Sequence, residues 1–252
     1  MEGTGPARAV VLACAAVAML ALHAAPAGAS LLVPAYFGPE GAPSPWRTMC
    51  DPAQASSIAI VNPHNGPVKR QGSVYAPVIA GCREAGWRVA GYVFTRYGRR
   101  KLAAVEKAIS GYQLFYPGVE GIFLDEMAEA DTPKNEAYYG ALRDYVRERG
   151  GFLVGNPGDT APTGWQLAFV DLLVTFEGPA SQYASYAPAP WVSAAGTGRI
   201  ANIVFAAGGA PQQVCSQVPA RGAGYRYVTD LAEAPNPYAG LPAYWQAEVE
   251  AC

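Results

Sequence analysis

The feature that most limits what this chain can fold into is a series of eight short apolar runs, each closed by turn or polar residues: 31–37, 57–63, 88–95, 121–126, 151–158, 172–178, 200–207 and 225–231. Most are continuously apolar rather than alternating, which is the pattern of strands covered on both faces in a parallel sheet. Parallel neighbours cannot be joined by tight hairpins, and the stretches between the runs are long enough to serve as crossover helices. The clearest covers 133–149: Thr132 can cap it, Pro133 suits its first turn, Ala141, Leu142, Tyr145 and Val146 form an apolar stripe, and Gly150 can stop it. Leu102, Val105, Ile109 and Tyr112 make a similar stripe one unit earlier. Eight strand-then-helix units predict an α/β fold, a single (β/α)8 TIM-type barrel, with a doubly wound open sheet as the alternative. The Pro-rich patches at 39–45 and 187–190 are loop-sized and no linker interrupts the pattern, so residues 30–252 are expected to form one domain.

Residues 1–29 read differently. Arg8 precedes an apolar run over 9–22, and Ala27-Gly28-Ala29 fits a small-residue cleavage site, the pattern of a secretory signal peptide. The run falls short of the ~20 residues of a bilayer-spanning helix. A lipoprotein signal ending at Cys14 is the rival, but only three apolar residues would separate Arg8 from its tetrad. The protein is therefore expected to be secreted, with no membrane attachment after signal removal. Loss of Cys14 leaves Cys50, Cys82, Cys215 and Cys252, an even set that in an exported chain favours two disulfides over a metal site. Three pairings are open. Cys50 with Cys82 and Cys215 with Cys252 are preferred because each pair joins neighbouring barrel units; four buried thiols are the alternative.

Charge and missing motifs narrow the chemistry. With 18 Lys+Arg against 20 Asp+Glu and no block of like charge, the chain has no electrostatic footprint for nucleic acid. His64 is the one histidine outside the leader, and GxSxG, HExxH and P-loop strings are absent, so Ser-His hydrolysis, zinc hydrolysis and phosphoryl transfer lack parts. Gly196-Thr-Gly198-Arg-Ile-Ala201 matches a dinucleotide pattern but leads into a strand rather than a helix. No cofactor and no metal are expected. In a barrel the functional face is at the strand C-terminal ends. There the fourth run ends in Asp125-Glu126 and the sixth in Glu177-Gly178. Carboxylates directly after apolar strand residues are costly unless paired, solvated or used, which makes Asp125, Glu126 and Glu177 catalytic candidates. Simple alternation puts Thr175 and Glu177 on one face, with the hydroxyl and the carboxylate both inside the barrel mouth. Asp125 and Glu126 must diverge, so one of them does the chemistry and the other orients it or the substrate. Paired carboxylates of this kind cleave glycosidic bonds. Tyrosine, at 15 the commonest aromatic residue, suits sugar faces, with Tyr36, Tyr92 and Tyr97 at or just beyond strand ends.

Leu32-Val-Pro-Ala-Tyr36, Ile60-Val-Asn-Pro-His-Asn-Gly-Pro67, Gly91-Tyr-Val-Phe-Thr-Arg-Tyr-Gly98, Gly121-Ile-Phe-Leu-Asp-Glu126 and Phe176-Glu-Gly178 together resemble the spherulin-4 family over nearly the whole chain beyond the leader. The resemblance implies a (β/α)8 barrel. It also implies, as for some members, hydrolysis of α-1,4-linked galactosamine or N-acetylgalactosamine polymers of microbial exopolysaccharide, with an acidic triad at Asp125, Glu126 and Glu177. Phe94 and Arg96 depart from the smaller residues expected beside Thr95. The resulting expectation is a monomeric, secreted, endo-acting glycosidase with Asp125 as nucleophile, Glu177 as acid/base, and Glu126 binding substrate or tuning the pair. Tyr36, Asn62, His64, Tyr92, Thr95, Tyr97 and Asn156 are the expected polysaccharide contacts. A non-catalytic carbohydrate-binding or cell-surface barrel and a structural spore or wall protein are the competing classes.

Overall fold

The computed structural model describes Met1 and residues 29–251 except Ala55, Pro162 and Ala210, so the expected leader up to Gly28 lies outside the described residues apart from Met1. Eight strands, β1 (Ser30–Ala35), β2 (Ile58–Val61), β3 (Arg88–Phe94), β4 (Gly121–Asp125), β5 (Phe152–Gly155), β6 (Leu172–Pro179), β7 (Ile200–Phe205) and β8 (Tyr225–Val228), form a closed barrel in chain order. Every pairing is parallel. Ser30 opposite Tyr225 and Leu31 opposite Arg226 close the ring, which leaves no sheet edge and rules out the open doubly wound alternative. The continuous apolar runs have their reason here: β2, β5 and β7 are buried at every position, one face inside the barrel and the other under the outer shell.

The outer shell is uneven. In the first half, α1 (Pro45–Met49) precedes β2, and three long helices follow the next strands: α2 (Gly72–Glu84), α3 (Leu102–Phe115) and α4 (Pro133–Arg147). The Thr132 hydroxyl accepts from the Asn135 N–H at 3.2 Å and caps α4, while Tyr139, Leu142 and Val146 form its buried stripe. In the second half, full helices were expected between the strands, but among the described residues only 3-10 turns (Trp165–Ala168, Thr197–Arg199 and Pro219–Arg221) and the short α5 (Ala180–Tyr183), α6 (Trp191–Ala195) and α7 (Gln212–Cys215) are found before α8 (Trp245–Ala251). Proline and glycine punctuate these segments: Pro179, Pro190 and Pro211 precede the short helices, and Gly196 and Gly222 take left-handed φ of 82° and 76° after α6 and beyond α7. Aromatic packing covers the barrel instead, with Phe176 against Tyr183 and Tyr186 and the Arg221 guanidinium 3.9 Å above the Tyr183 ring.

Cys50, which ends α1, is bonded to Cys82 on α2, as the preferred pairing has it. Cys215 is also disulfide-bonded, and the partner expected for it, Cys252, lies outside the described residues. The first bridge closes a loop with a sequence separation of 32. Chain-entropy reasoning assigns such a loop about 3–4 kcal/mol. The Cys50→Ser, Cys82→Ser double variant is therefore expected to lose stability of that size in urea unfolding, and an unchanged midpoint would contradict the assignment. Among the described residues, no cluster of His, Cys, Asp or Glu has the makings of a metal site, and no helix is long and apolar enough to cross a membrane.

Candidate active site

The register of the barrel brings the strand ends together. Phe94 of β3 lies opposite Asp125 of β4, and Phe123 lies opposite Val154 of β5, so Asn156 emerges beside Asp125. Tyr92 donates to Asp125 Oδ2 at 2.7 Å. The side-chain nitrogen of Asn156 donates to Asp125 Oδ1 at 2.8 Å and to Glu177 Oε2 at 2.6 Å. Tyr238, in the loop after β8, donates to Glu177 Oε1 through a short hydrogen bond. One amide therefore spans two carboxylates, and each carboxylate has its own tyrosine.

Glu177 reaches this cluster through a β-bulge. Along β6, Val174 pairs with Ala201 but Phe176 pairs with Asn202, leaving Thr175 as an extra residue. Val174 packs in the barrel core, whereas Phe176, two residues on, packs outside with Tyr183 and Val204. Inserting one residue exchanges the two faces, and this turns Glu177 inward. The expectation that Thr175 and Glu177 share the mouth is corrected: the Thr175 hydroxyl is buried and accepts from Asn202, whose own oxygen accepts from Tyr183 in the outer shell. The loop after β5 is tied to it as well, since the Glu177 N–H donates to the Asp159 carbonyl at 2.9 Å.

Burial pushes the Asp125 carboxyl above its ordinary range, opposed by hydrogen bonds from Tyr92, the Glu126 backbone and Asn156 to its charged form. Burial also raises Glu177. The negative charge of Asp125 raises it further, against the hydrogen bonds from Tyr238 and Asn156. The two groups therefore differ in kind: Asp125 is the better solvated by hydrogen bonds, and Glu177 is the one that charge repulsion drives to keep a proton. Tyr36, Tyr92 and Tyr238 are all raised, first by burial, and stand as neutral hydroxyls around the pair.

Beside the pair opens a cleft of about 340 Å³ lined by Tyr36, Asn62, His64, Asn65, Asn236 and Tyr238, among others. Tyr36 stands edge-on between Tyr92 and Tyr238, with ring centroids 5.5 and 5.3 Å away. The Asn62 side-chain oxygen accepts from the Gly66 N–H at 3.2 Å and folds the 62–66 turn that leaves His64 exposed at the rim. Asn236 and Tyr238 were not among the residues expected from sequence. Their signal was an Asn-Pro-Tyr turn beyond the last apolar run, in which the Asn236 oxygen accepts from the Tyr238 N–H at 2.8 Å.

Among the described residues Glu126 makes no side-chain hydrogen bond to Asp125 or Glu177. It takes a left-handed φ of 51°, and Arg96 and Tyr97 take 52° and 55°. The two loops are joined where the Tyr97 N–H donates to the Glu126 carbonyl at 2.7 Å. Thr95, expected to touch substrate, is fully buried; its hydroxyl lies 2.6 Å from the Glu126 carbonyl and 2.9 Å from the Tyr139 hydroxyl, so it holds this junction. Three left-handed non-glycine residues at one junction cost about 1–3 kcal/mol each. They present Tyr97, 43% exposed, with Arg96, Arg99 and Glu126 around a second cleft of about 450 Å³.

Comparison with known proteins places this geometry. The family model of spherulation-specific family 4 matches residues 30–252. Spherulin-4 of Physarum polycephalum is 31% identical over 235 residues, which cover 88% of this chain and 69% of that protein. Among solved structures, Aspergillus clavatus Sph3 in complex with GalNAc has the same fold, with a TM-score of 0.73 at 21% identity over 89% of this chain and 97% of that one. The matched residues run through the whole barrel, from β1 past the loop that carries Tyr238, and the chain belongs to spherulation-specific family 4.

Proposed function

We propose that this protein is a secreted glycoside hydrolase that cuts α-1,4-linked galactosamine or N-acetylgalactosamine polymers within the chain. The observation that carries this reading is the single Asn156 amide bonded to both Asp125 and Glu177. Because the two hydrogen bonds share one nitrogen, the facing carboxylate oxygens are closer than the two bonds end to end. That favours the ~5–5.5 Å carboxyl spacing of retaining enzymes over the ~6.5–9.5 Å of inverting ones. In the first step Asp125 attacks the anomeric carbon while Glu177 protonates the departing glycosidic oxygen. In the second, Glu177 takes a proton from water, which displaces the sugar from Asp125. Endo-action is supported by two clefts at the strand ends, one lined by Asn62, Asn65, Asn236 and tyrosines, the other by Tyr97, Arg96, Arg99 and Glu126, which offer room for more than one sugar. The GalNAc bound to the Aspergillus protein makes its polymer the first substrate to try. Secretion, with cleavage after Ala29, is supported by the Cys50–Cys82 disulfide, which suits an oxidising compartment.

The test is incubation of residues 30–252 with an α-1,4-linked N-acetylgalactosamine polymer, following reducing ends, product length and the anomer first formed. The expected result is early release of mid-length fragments with the α-anomer retained. Release of monosaccharide alone would remove endo-action, and first formation of the β-anomer would remove the nucleophile role of Asp125. A melting shift with polymer but no cleavage would make the protein a carbohydrate-binding barrel.

A further inference from the structure

Glu177 has two oxygens, and they are not equivalent. Oε2 accepts from the Asn156 amide, and the amide cannot be turned over, because its own oxygen accepts from the Gly158 N–H at 3.1 Å. Asn156 is 2% exposed and both its side-chain polar atoms are engaged within the protein. In the protonated acid, the oxygen that accepts the amide is the carbonyl oxygen, so the proton belongs on Oε1. That oxygen faces Tyr238, which lines the open cleft.

We infer that Asn156 and Tyr238 are positioning residues that together select Oε1 as the oxygen through which Glu177 delivers its proton. The inference rests on the glycosidase reading for its chemical step. As the bond between the anomeric carbon and the glycosidic oxygen breaks, the Oε1 proton passes to that oxygen and leaves a carboxylate. The Tyr238 hydroxyl, which must accept from Oε1 or stand aside while the acid holds its proton, then turns to donate to it. The carboxylate now accepts from Asn156 at one oxygen and Tyr238 at the other, so both hydrogen bonds are strongest after transfer and favour the transition state over the bound substrate. Tyr238 is held for this by ring contacts independent of its hydroxyl, with Tyr36 at 5.3 Å and Tyr227 at 6.3 Å. The titratable groups around Glu177 are Asp125 from β4, Tyr92 from β3, Tyr36 beyond β1 and Tyr238 itself, and only Tyr238 and Asn156 hydrogen-bond its carboxylate among the described residues.

Tyr238→Phe keeps the ring contacts and removes only the hydroxyl, and Asn156→Ser shortens the amide without adding charge. Carbon-13 NMR of the glutamate carboxyls in the substrate-free protein, with Glu177 assigned by its loss in Glu177→Gln, reads the titration directly. Its midpoint is expected to rise in both variants. With polymer, kcat is expected to fall about 10- to 100-fold in Tyr238→Phe while KM stays near its original value. A Glu177 midpoint unmoved by Tyr238→Phe would overturn the inference, and so would a Tyr238→Phe effect confined to KM. Raised midpoints in a protein that cleaves no sugar polymer would keep the placement of the proton and remove the glycosidase reading.

Discussion

Glu177→Gln is expected to lower kcat on the polymer by about 10²- to 10⁴-fold, the range for loss of a general acid. The loss depends on the leaving group. A sugar alkoxide needs a proton to depart, whereas a nitrophenolate does not, so an aryl glycoside with a good leaving group should be cleaved in its first step at nearly the original rate. Breakdown of the intermediate then lacks its base and limits turnover, and the variant should show a burst of phenolate. Asp125→Asn removes the nucleophile and should abolish the burst and steady turnover on both substrates. The pH profile follows from the same environments. Turnover needs Asp125 ionised and Glu177 protonated, so the acid limb reports the first and the basic limb the second, as macroscopic values of a coupled pair. Burial raises both groups, which moves both limbs up from ordinary carboxylate values. In Glu177→Gln the basic limb of the first step should vanish. A full-size polymer activity in this variant, or equal losses of the first step on both substrates, would remove Glu177 as proton donor.

The second large effect lies where α8 packs against β8. Glu248 of α8 is fully buried, accepts from the Val228 N–H at 2.7 Å, and offers its backbone carbonyl to Arg226 at 3.0 Å. Its second carboxyl oxygen has no hydrogen-bond partner among the described residues. Burial pushes its pKa to about 8, against the Val228 N–H and the Arg226 charge. In the unfolded chain the group ionises near its ordinary value of about 4.5. Below that value both states hold the proton. As pH rises towards 8 the unfolded chain has released it and the folded protein has not, so folding binds a proton and stability falls. Above 8 both are ionised and the loss is complete, roughly 3–5 kcal/mol in all. Glu248→Gln keeps an acceptor for Val228 and cannot ionise. The urea midpoint of the original protein should fall between pH 5 and 8 relative to that of Glu248→Gln. Parallel curves for the two proteins would show that Glu248 is ionised in the fold. Asp125 and Glu177 contribute slope of the same sign to both proteins, so the difference isolates Glu248.

Strand positions were legible to within a few residues because a parallel barrel strand is buried on both faces, and burial on both faces writes itself as a continuous apolar run. The cap at Thr132, and Leu142 and Val146 of the buried α4 stripe, were legible for the same local reason, since they depend on residues within one or two turns; Tyr139 takes the place expected of Ala141 and Tyr145, which stay partly exposed. The short outer shell of the second half was less so: proline and glycine say that a helix stops, but the aromatic cover of Phe176, Tyr183 and Tyr186 is a matter of packing.

At the site the division is sharper. The sequence alone determined the eight strands and the appearance of Asp125, Glu126, Asn156 and Glu177 where strands end, because these follow from hydrophobic period and chain position. Only the tertiary structure decided which of these groups meet. Tyr238 reaches Glu177 across 61 residues, a pairing that no local pattern carries. The bulge at Thr175 reverses the faces of β6, so a carboxylate that strict alternation from Val174 would put outside stands inside. Thr95, placed by position in the mouth, is withdrawn into the junction with Glu126 and Tyr139. Side-chain direction at the end of a strand is set by register, bulges and the hydrogen bonds of neighbouring loops, and these exist only once the barrel has closed.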